Sequence, residues 1–190
     1  MIWLNTILSG IAVIISFIVL WLTYLRRGMV KMTQPSLIAF VPENNSLKIC
    51  LQTLLFSTSY KGNVIENVWI KLQNKQQCHC FTLWAYRGKG GGEIIKGSGL
   101  FISREGVPTM HYFMLNAFKQ ENIFIEDDIK LKVYCDIINC KYGVLLGEIE
   151  LAFNKEHIDM LQKGTGILFD WNPTVPKYTP CISKPFDRTI

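Results

Sequence analysis

Between Met1 and Arg26 the chain carries no charged residue. The whole sequence also lacks a Cys-x2-Cys pair, a Gly-x4-Gly-Lys-[Ser/Thr] loop and a Gly-x-Ser-Gly segment. Those absences remove the usual local signatures of a zinc knuckle, a phosphate loop and a serine-protease nucleophile. There are only three histidines, His79, His111 and His157. No paired carboxylates flank an evident cleft, and no low-complexity run or internal repeat is visible.

The uncharged stretch is the feature around which the rest is organised. Ile2 to Leu25 reads IWLNTILSGIAVIISFIVLWLTYL. As a helix it covers about 36 Å, enough for a hydrocarbon core of about 30 Å with some tilt. A secretory signal has a basic segment first, a shorter apolar run and small residues at its cleavage site. Here nothing basic precedes the run, and Arg26-Arg27 follows it. The expectation is a retained transmembrane anchor over residues 1–27. Trp3 near one end, with Trp21 and Tyr24 near the other, match aromatic belts at two interfaces. Arg26, Arg27 and Lys31 put positive charge on the C-terminal side alone. The positive-inside rule then places the N-terminus outside and the domain in the cytoplasm. Asn5, Ser9, Ala12, Ser16, Val19 and Thr23 recur at steps of four and three. That stripe predicts a homodimer through the helix, with Ser9, Ala12 and Ser16 at its centre.

All charge lies beyond the uncharged stretch: 20 Lys and Arg against 15 Asp and Glu, a net of +5. The excess suits a domain held near anionic lipid and is too scattered for nucleic acid. The six cysteines, Cys50, Cys78, Cys80, Cys135, Cys140 and Cys181, are expected as reduced thiols in a reducing compartment. The sequon at Asn44 has no bearing there.

Residues 28–34 read as a linker, and 35–190 as one domain of strands. Leu37–Val41, Leu47–Phe56, Val64–Leu72, Cys78–Tyr86, Ile94–Ser103, Thr109–Leu115 and Leu131–Ile137 alternate in period two, as does the strand carrying Leu145 to Phe153. The expected inward faces include Val64 with Val68, Ala85 with Phe81 and Leu83, and Leu145 with Ile149. The class expected is mainly β: an antiparallel immunoglobulin-like β-sandwich preceded by one transmembrane α-helix. A short helix is expected over 155–163, capped by Asn154 and ended by Gly164. The tail from Trp171 to Phe186, rich in proline, reads as an extended strip.

Four stretches imitate chemistry. Gly97-Ser98-Gly99-Leu100-Phe101-Ile102, running to His111, is similar to the segment that leads to the catalytic His of trypsin-like proteases. On that resemblance His111 would be the general base, but no nucleophile segment accompanies it. Cys78-His79-Cys80 puts the two thiols on one face of a strand and the imidazole on the other, so the three do not share an ion. No metal site and no cofactor are expected. Gly88-Lys89-Gly90-Gly91-Gly92 reads as a hairpin loop, and Asp127-Asp128 as a solvated turn before a strand. In Ser57 to Asn63, Ser57, Ser59 and Lys61 are the candidate ligand-binding residues, since amides in such a turn can hold an anion; turn chemistry explains the same residues.

Several segments resemble a group of uncharacterised bacterial proteins with an N-terminal anchor and a β-rich cytoplasmic domain. They are Thr33-Gln34-Pro35, Thr53 to Leu72, Lys96 to Val107 and Gly166 to Pro173. The resemblance implies that architecture, a setting in the bacterial inner membrane and no reaction. Those proteins tend to a His-rich pair where this chain has Met110-His111-Tyr112, which argues against His111 in a site. Two functions follow. One is a membrane-anchored interaction or scaffold module with the bilayer and an unidentified protein as partners. The other is an enzyme or ligand-binding domain whose site is assembled from distant residues. The lack of any local catalytic element favours the first.

Overall fold

The computed structural model describes residues 2–25, 28–43, 46–74, 78–88, 93–97, 99–115, 127–138 and 140–181. Arg26, Arg27, Asn44, Asn45, Ser98, the glycine loop 89–92 and the end of the tail, 182–190, lie outside them.

Helix α1 (Ile2–Leu20) continues into a π-helical turn, Trp21–Leu25. Its backbone satisfies its own hydrogen bonds, which an apolar segment in lipid requires. No part of the span Trp3–Tyr24 is buried against the domain, and it is long and apolar enough to cross a membrane. A signal sequence meets the same test. The Thr23 hydroxyl donates to the Val19 carbonyl at 2.6 Å and lies 3.5 Å from that of Leu20. Such back-bonding competes for carbonyls of the helix where the turn widens.

Twelve antiparallel strands follow: β1 (Val30–Met32), β2 (Leu37–Glu43), β3 (Ser46–Ser57), β4 (Asn63–Gln73), β5 (Cys78–Gly88) and β6 (Ile94–Lys96); then β7 (Leu100–Ile102), β8 (Val107–Leu115), β9 (Asp127–Ile137), β10 (Val144–Phe153), β11 (Ile167–Asn172) and β12 (Lys177–Cys181). Helix α2 (Lys155–Gln162) connects β10 to β11. Two facing sheets of an immunoglobulin-like sandwich are not seen. The strands form one sheet in the order β10-β9-β4-β5-β8-β3-β2-β11-β12, with β1 on β3, β6 on β5 and β7 on β4. The sheet curls nearly into a barrel. Strand β1 comes round to β10, where the Met32 methyl lies against Gly147. Residues 30–32, expected as linker, thus close the curl. Alternation has the same period in a sandwich and in a curled sheet, so it does not separate them.

One face of the curl holds the core. Phe40, Ile49, Leu51, Ile70, Phe81, Phe113, Leu131 and Phe169 are fully buried there. Ala39, Cys50, Ala85 and Tyr112 make a smaller apolar cluster on the outer face, flanked by Trp84 with Lys48 and Lys96 over its ring. Three bulges break the expected faces. Between Ile65 and Asn67, Leu83 and Ala85, and Leu145 and Gly147, one strand carries an extra residue. Each bulge reverses the alternation. Val64 and Leu145 are exposed, and Ala85 joins the outer cluster.

Helix α2 closes one end. Asn154 accepts from the His157 amide at 2.9 Å, and His157 Nδ1 accepts from the Asn154 amide at 3.3 Å. This is a reciprocal cap with imidazole in the place of the usual Glu. His157 and Leu161 are the buried residues of α2, in place of the expected Ile158–Leu161 pair. Gly164, at φ +80°, follows the helix as expected. The described part of the tail, up to Cys181, is a hairpin: β11 pairs with β2 and with β12, whose Pro180 sits on the outer edge where no amide is needed. Asp127-Asp128 begins β9 rather than forming a turn.

Candidate functional site

The opposite end of the curled sheet is joined to α1, and the turn Ser57–Asn63 makes the joint. The Met29 amide donates to Thr58 Oγ1 at 2.8 Å, and the Thr58 amide donates to the Met29 carbonyl at 2.9 Å. Gly28 lies so close to Ser59 that a Cβ there would overlap it. Val30, two residues beyond Gly28, is already buried. On the other side of the turn the Ser57 amide donates to the Ser103 carbonyl at 3.0 Å. Gly62, at φ +72°, would bring a Cβ within 2.7 Å of the Phe101 ring and the Ile102 carbonyl. Only glycine fits both that backbone and that approach.

The candidate ligand-binding hydroxyls serve the turn. Ser57 Oγ accepts from the Ser59 amide at 3.0 Å and from Asn63 Nδ2 at 2.6 Å. Ser59 Oγ accepts from the Lys61 amide at 3.2 Å, and the Ser59 carbonyl accepts from Gly62. These are the bonds that hydroxyl-rich turns make with themselves. Lys61 instead reaches the N-terminal helix: its Nζ lies 5.6 Å from the centre of the Tyr24 ring. Arg104 lies over Tyr60 at 4.4 Å. Lys31 is exposed on β1 at the same end.

His111 is not near this joint in function or exposure. It points into the core from β8, in register with Leu51 and Tyr86. Its Nε2 is 2.6 Å from Thr109 Oγ1, and its Nδ1 has no hydrogen-bond partner. Burial holds its pKa down at about 4, so the ring is neutral at pH 7. Cys78 and Cys80 are exposed on one face of β5 while His79 turns to the other. Burial, with Asp136 beside it, pushes the Cys135 thiol up to about 12, whereas Cys140 is exposed. Among the described residues no three His, Cys, Asp or Glu side chains group as metal ligands. In α1, Ser16 Oγ donates to the Ala12 carbonyl at 2.8 Å.

The grip of the turn on residues 28–29 carried no sequence signal, because it depends on where β1 pairs. Comparison with protein-family models, curated proteins and solved structures finds no match for this chain.

Proposed function

We propose that the chain is a single-pass membrane protein of a bacterial inner membrane, with its N-terminus outside and its domain in the cytoplasm, working as an interaction or scaffold module. The observation that carries this reading is the joint. An uncharged, exposed helix is followed, after three intervening residues, by a lock between Met29 and Thr58. The lock falls directly after the helix, and Lys61 lies over Tyr24 of the helix itself, so helix and domain are held as neighbours. Arg26-Arg27 stands where cleavage would need small residues. Orientation follows from Arg26, Arg27 and Lys31. A reporter active only outside the cytoplasm, fused to the C-terminus, is expected to stay silent. A strong signal reverses the topology and reopens the question of disulfides.

The same reading includes a homodimer through the stripe Ser9, Ala12 and Ser16. The Ser16 hydroxyl is spent on its own helix, so close backbone packing has to supply the association. In a membrane association assay, Ser9→Leu and Ser16→Leu should weaken dimers, while Ile11→Leu and Ile18→Leu should not. Equal signals from all four variants would show that the stripe is accidental.

A further inference from the structure

The large apolar side chains that the domain leaves exposed are unevenly placed. Because neighbouring strands are antiparallel, the turns β3–β4, β9–β10 and β11–β12 and the loop β7–β8 fall at one end, the end at which α1 joins. Tyr60, Phe101, Ile138, Tyr142 and Val175 lie in or beside these connections, exposed by 68, 61, 42, 83 and 51%. Val64 and Leu145 are exposed on strand ends nearest them. Among the described residues, no large hydrophobic side chain is exposed at the other end. There α2 turns Lys155, Glu156, Asp159 and Lys163 outward. These four connections also hold Lys61, Arg104 and Lys141 against Glu105, while Lys177 begins β12 and Glu93 precedes β6 at the same end.

We infer that this end is a membrane-seating surface that rests on anionic lipid headgroups beside the anchor. The inference depends on reading α1 as a retained anchor. Two residues separate Leu25 from Gly28, a reach of about 10 Å at full extension. With Met29 locked to Thr58 and Lys61 over Tyr24, the end cannot swing far from the bilayer surface. Tyrosines with a polar tip, apolar rings and long cationic side chains are the types that settle at a headgroup layer. In bulk water the same apolar set would be an exposed patch with no purpose. Continuity with the anchor names its occupant: the lipid of the leaflet from which α1 emerges.

The test places a photoreactive benzoylphenylalanine at one position of the full chain, in phosphatidylcholine vesicles with or without phosphatidylglycerol. At Phe17 it reports the anchor, at Tyr142 the seat and at Glu156 the far end. Lipid adducts are expected at Phe17 and Tyr142 and not at Glu156, and the Tyr142 adduct should grow with phosphatidylglycerol. Lys61→Gln and Arg104→Gln should each lower that growth about fivefold, the effect of one cation near an anionic surface. Adducts at Phe17 with none at Tyr142 overturn the seat and leave the anchor standing. No adduct at Phe17 overturns the anchor reading and the seat with it. Crosslinks from Tyr142 to a second copy of the chain, or lipid adducts indifferent to phosphatidylglycerol, also overturn the inference. The comparison of vesicles needs no charge variant, so a folding defect in one does not blunt it.

Discussion

Phe153→Ala is expected to lower the unfolding free energy by about 3–5 kcal/mol, the range for an aromatic ring removed from a packed core. Phe153 ends β10, and its ring centre lies 5.1 Å from both Phe40 and Phe169 and 5.9 Å from His157. Those partners stand on β2, β11 and α2. A cavity walled by three separate elements cannot collapse without moving one of them, so relaxation recovers little. The edge-on contacts to Phe40 and His157 are lost as well. For a domain with a total stability of about 5–15 kcal/mol this is a large share. Phe101→Ala removes the same ring from a position 61% exposed and should change stability by no more than about 0.5 kcal/mol. Denaturant midpoints of the full chain in detergent, read by tryptophan fluorescence, separate the two. Equal small shifts would mean that the α2 end is not packed as described.

That contrast between two phenylalanines was not legible in the sequence, and the reason is physical. Phe101 alternates in an apolar run as Phe153 does. What exposes it is the short β7 pairing with the end of β4, a contact between distant residues. The bulges have the same character. Leu47, Ile49, Leu51 and Leu55 face inward as the alternation implies, because β3 has no inserted residue along that length. Val64, Ala85 and Leu145 turned out on the other face, because one extra residue at Glu66, Trp84 or Leu146 shifts everything on one side of it by a step. Glu, Trp and Leu are ordinary strand residues here, so nothing local marks the insertion.

The two ends of the domain divide in the same way. The α2 end was readable, since Asn154 and Gly164 bracket a short amphipathic run and act through neighbours in sequence. The apolar helix was readable from the absence of charge alone. The joint between that helix and the curled sheet was not. Ser57, Ser59 and Lys61 stood out as an anion-holding turn, and what occupies them is Asn63, the turn's own amides and the Tyr24 ring. A hydroxyl-rich turn advertises donors and acceptors, but only the pairing of β1 with β3 brings Met29 and Tyr24 to it.

The second large effect expected is loss of stability in acid through His111. Its folded pKa is about 4, against about 6.5 in an unfolded chain. Above pH 6.5 the ring is neutral in both states, and burial costs nothing in charge. As pH falls below 6.5 the unfolded chain takes up a proton that the folded core refuses, so the balance moves toward unfolding. The slope is about 1.4 kcal/mol per pH unit, and the loss levels off near pH 4 at about 3 kcal/mol. No carboxylate stands in register with the ring to offset this: its cross-strand partners are Leu51 and Tyr86, and the Thr109 hydroxyl is already engaged. His157 adds in the same direction, since burial lowers its pKa too and a proton on Nδ1 would remove the acceptor for the Asn154 amide. Carboxylates such as Glu150, paired with Lys130, also lose their pairing in acid, so the wild-type curve alone does not isolate the histidine. The difference between wild type and His111→Leu does. At pH 7 the variant should be the less stable, having left Thr109 without its partner. By pH 4 that deficit should shrink or reverse by about 3 kcal/mol. A difference that stays constant from pH 7 to pH 4 would show that the ring takes up its proton without opening the core.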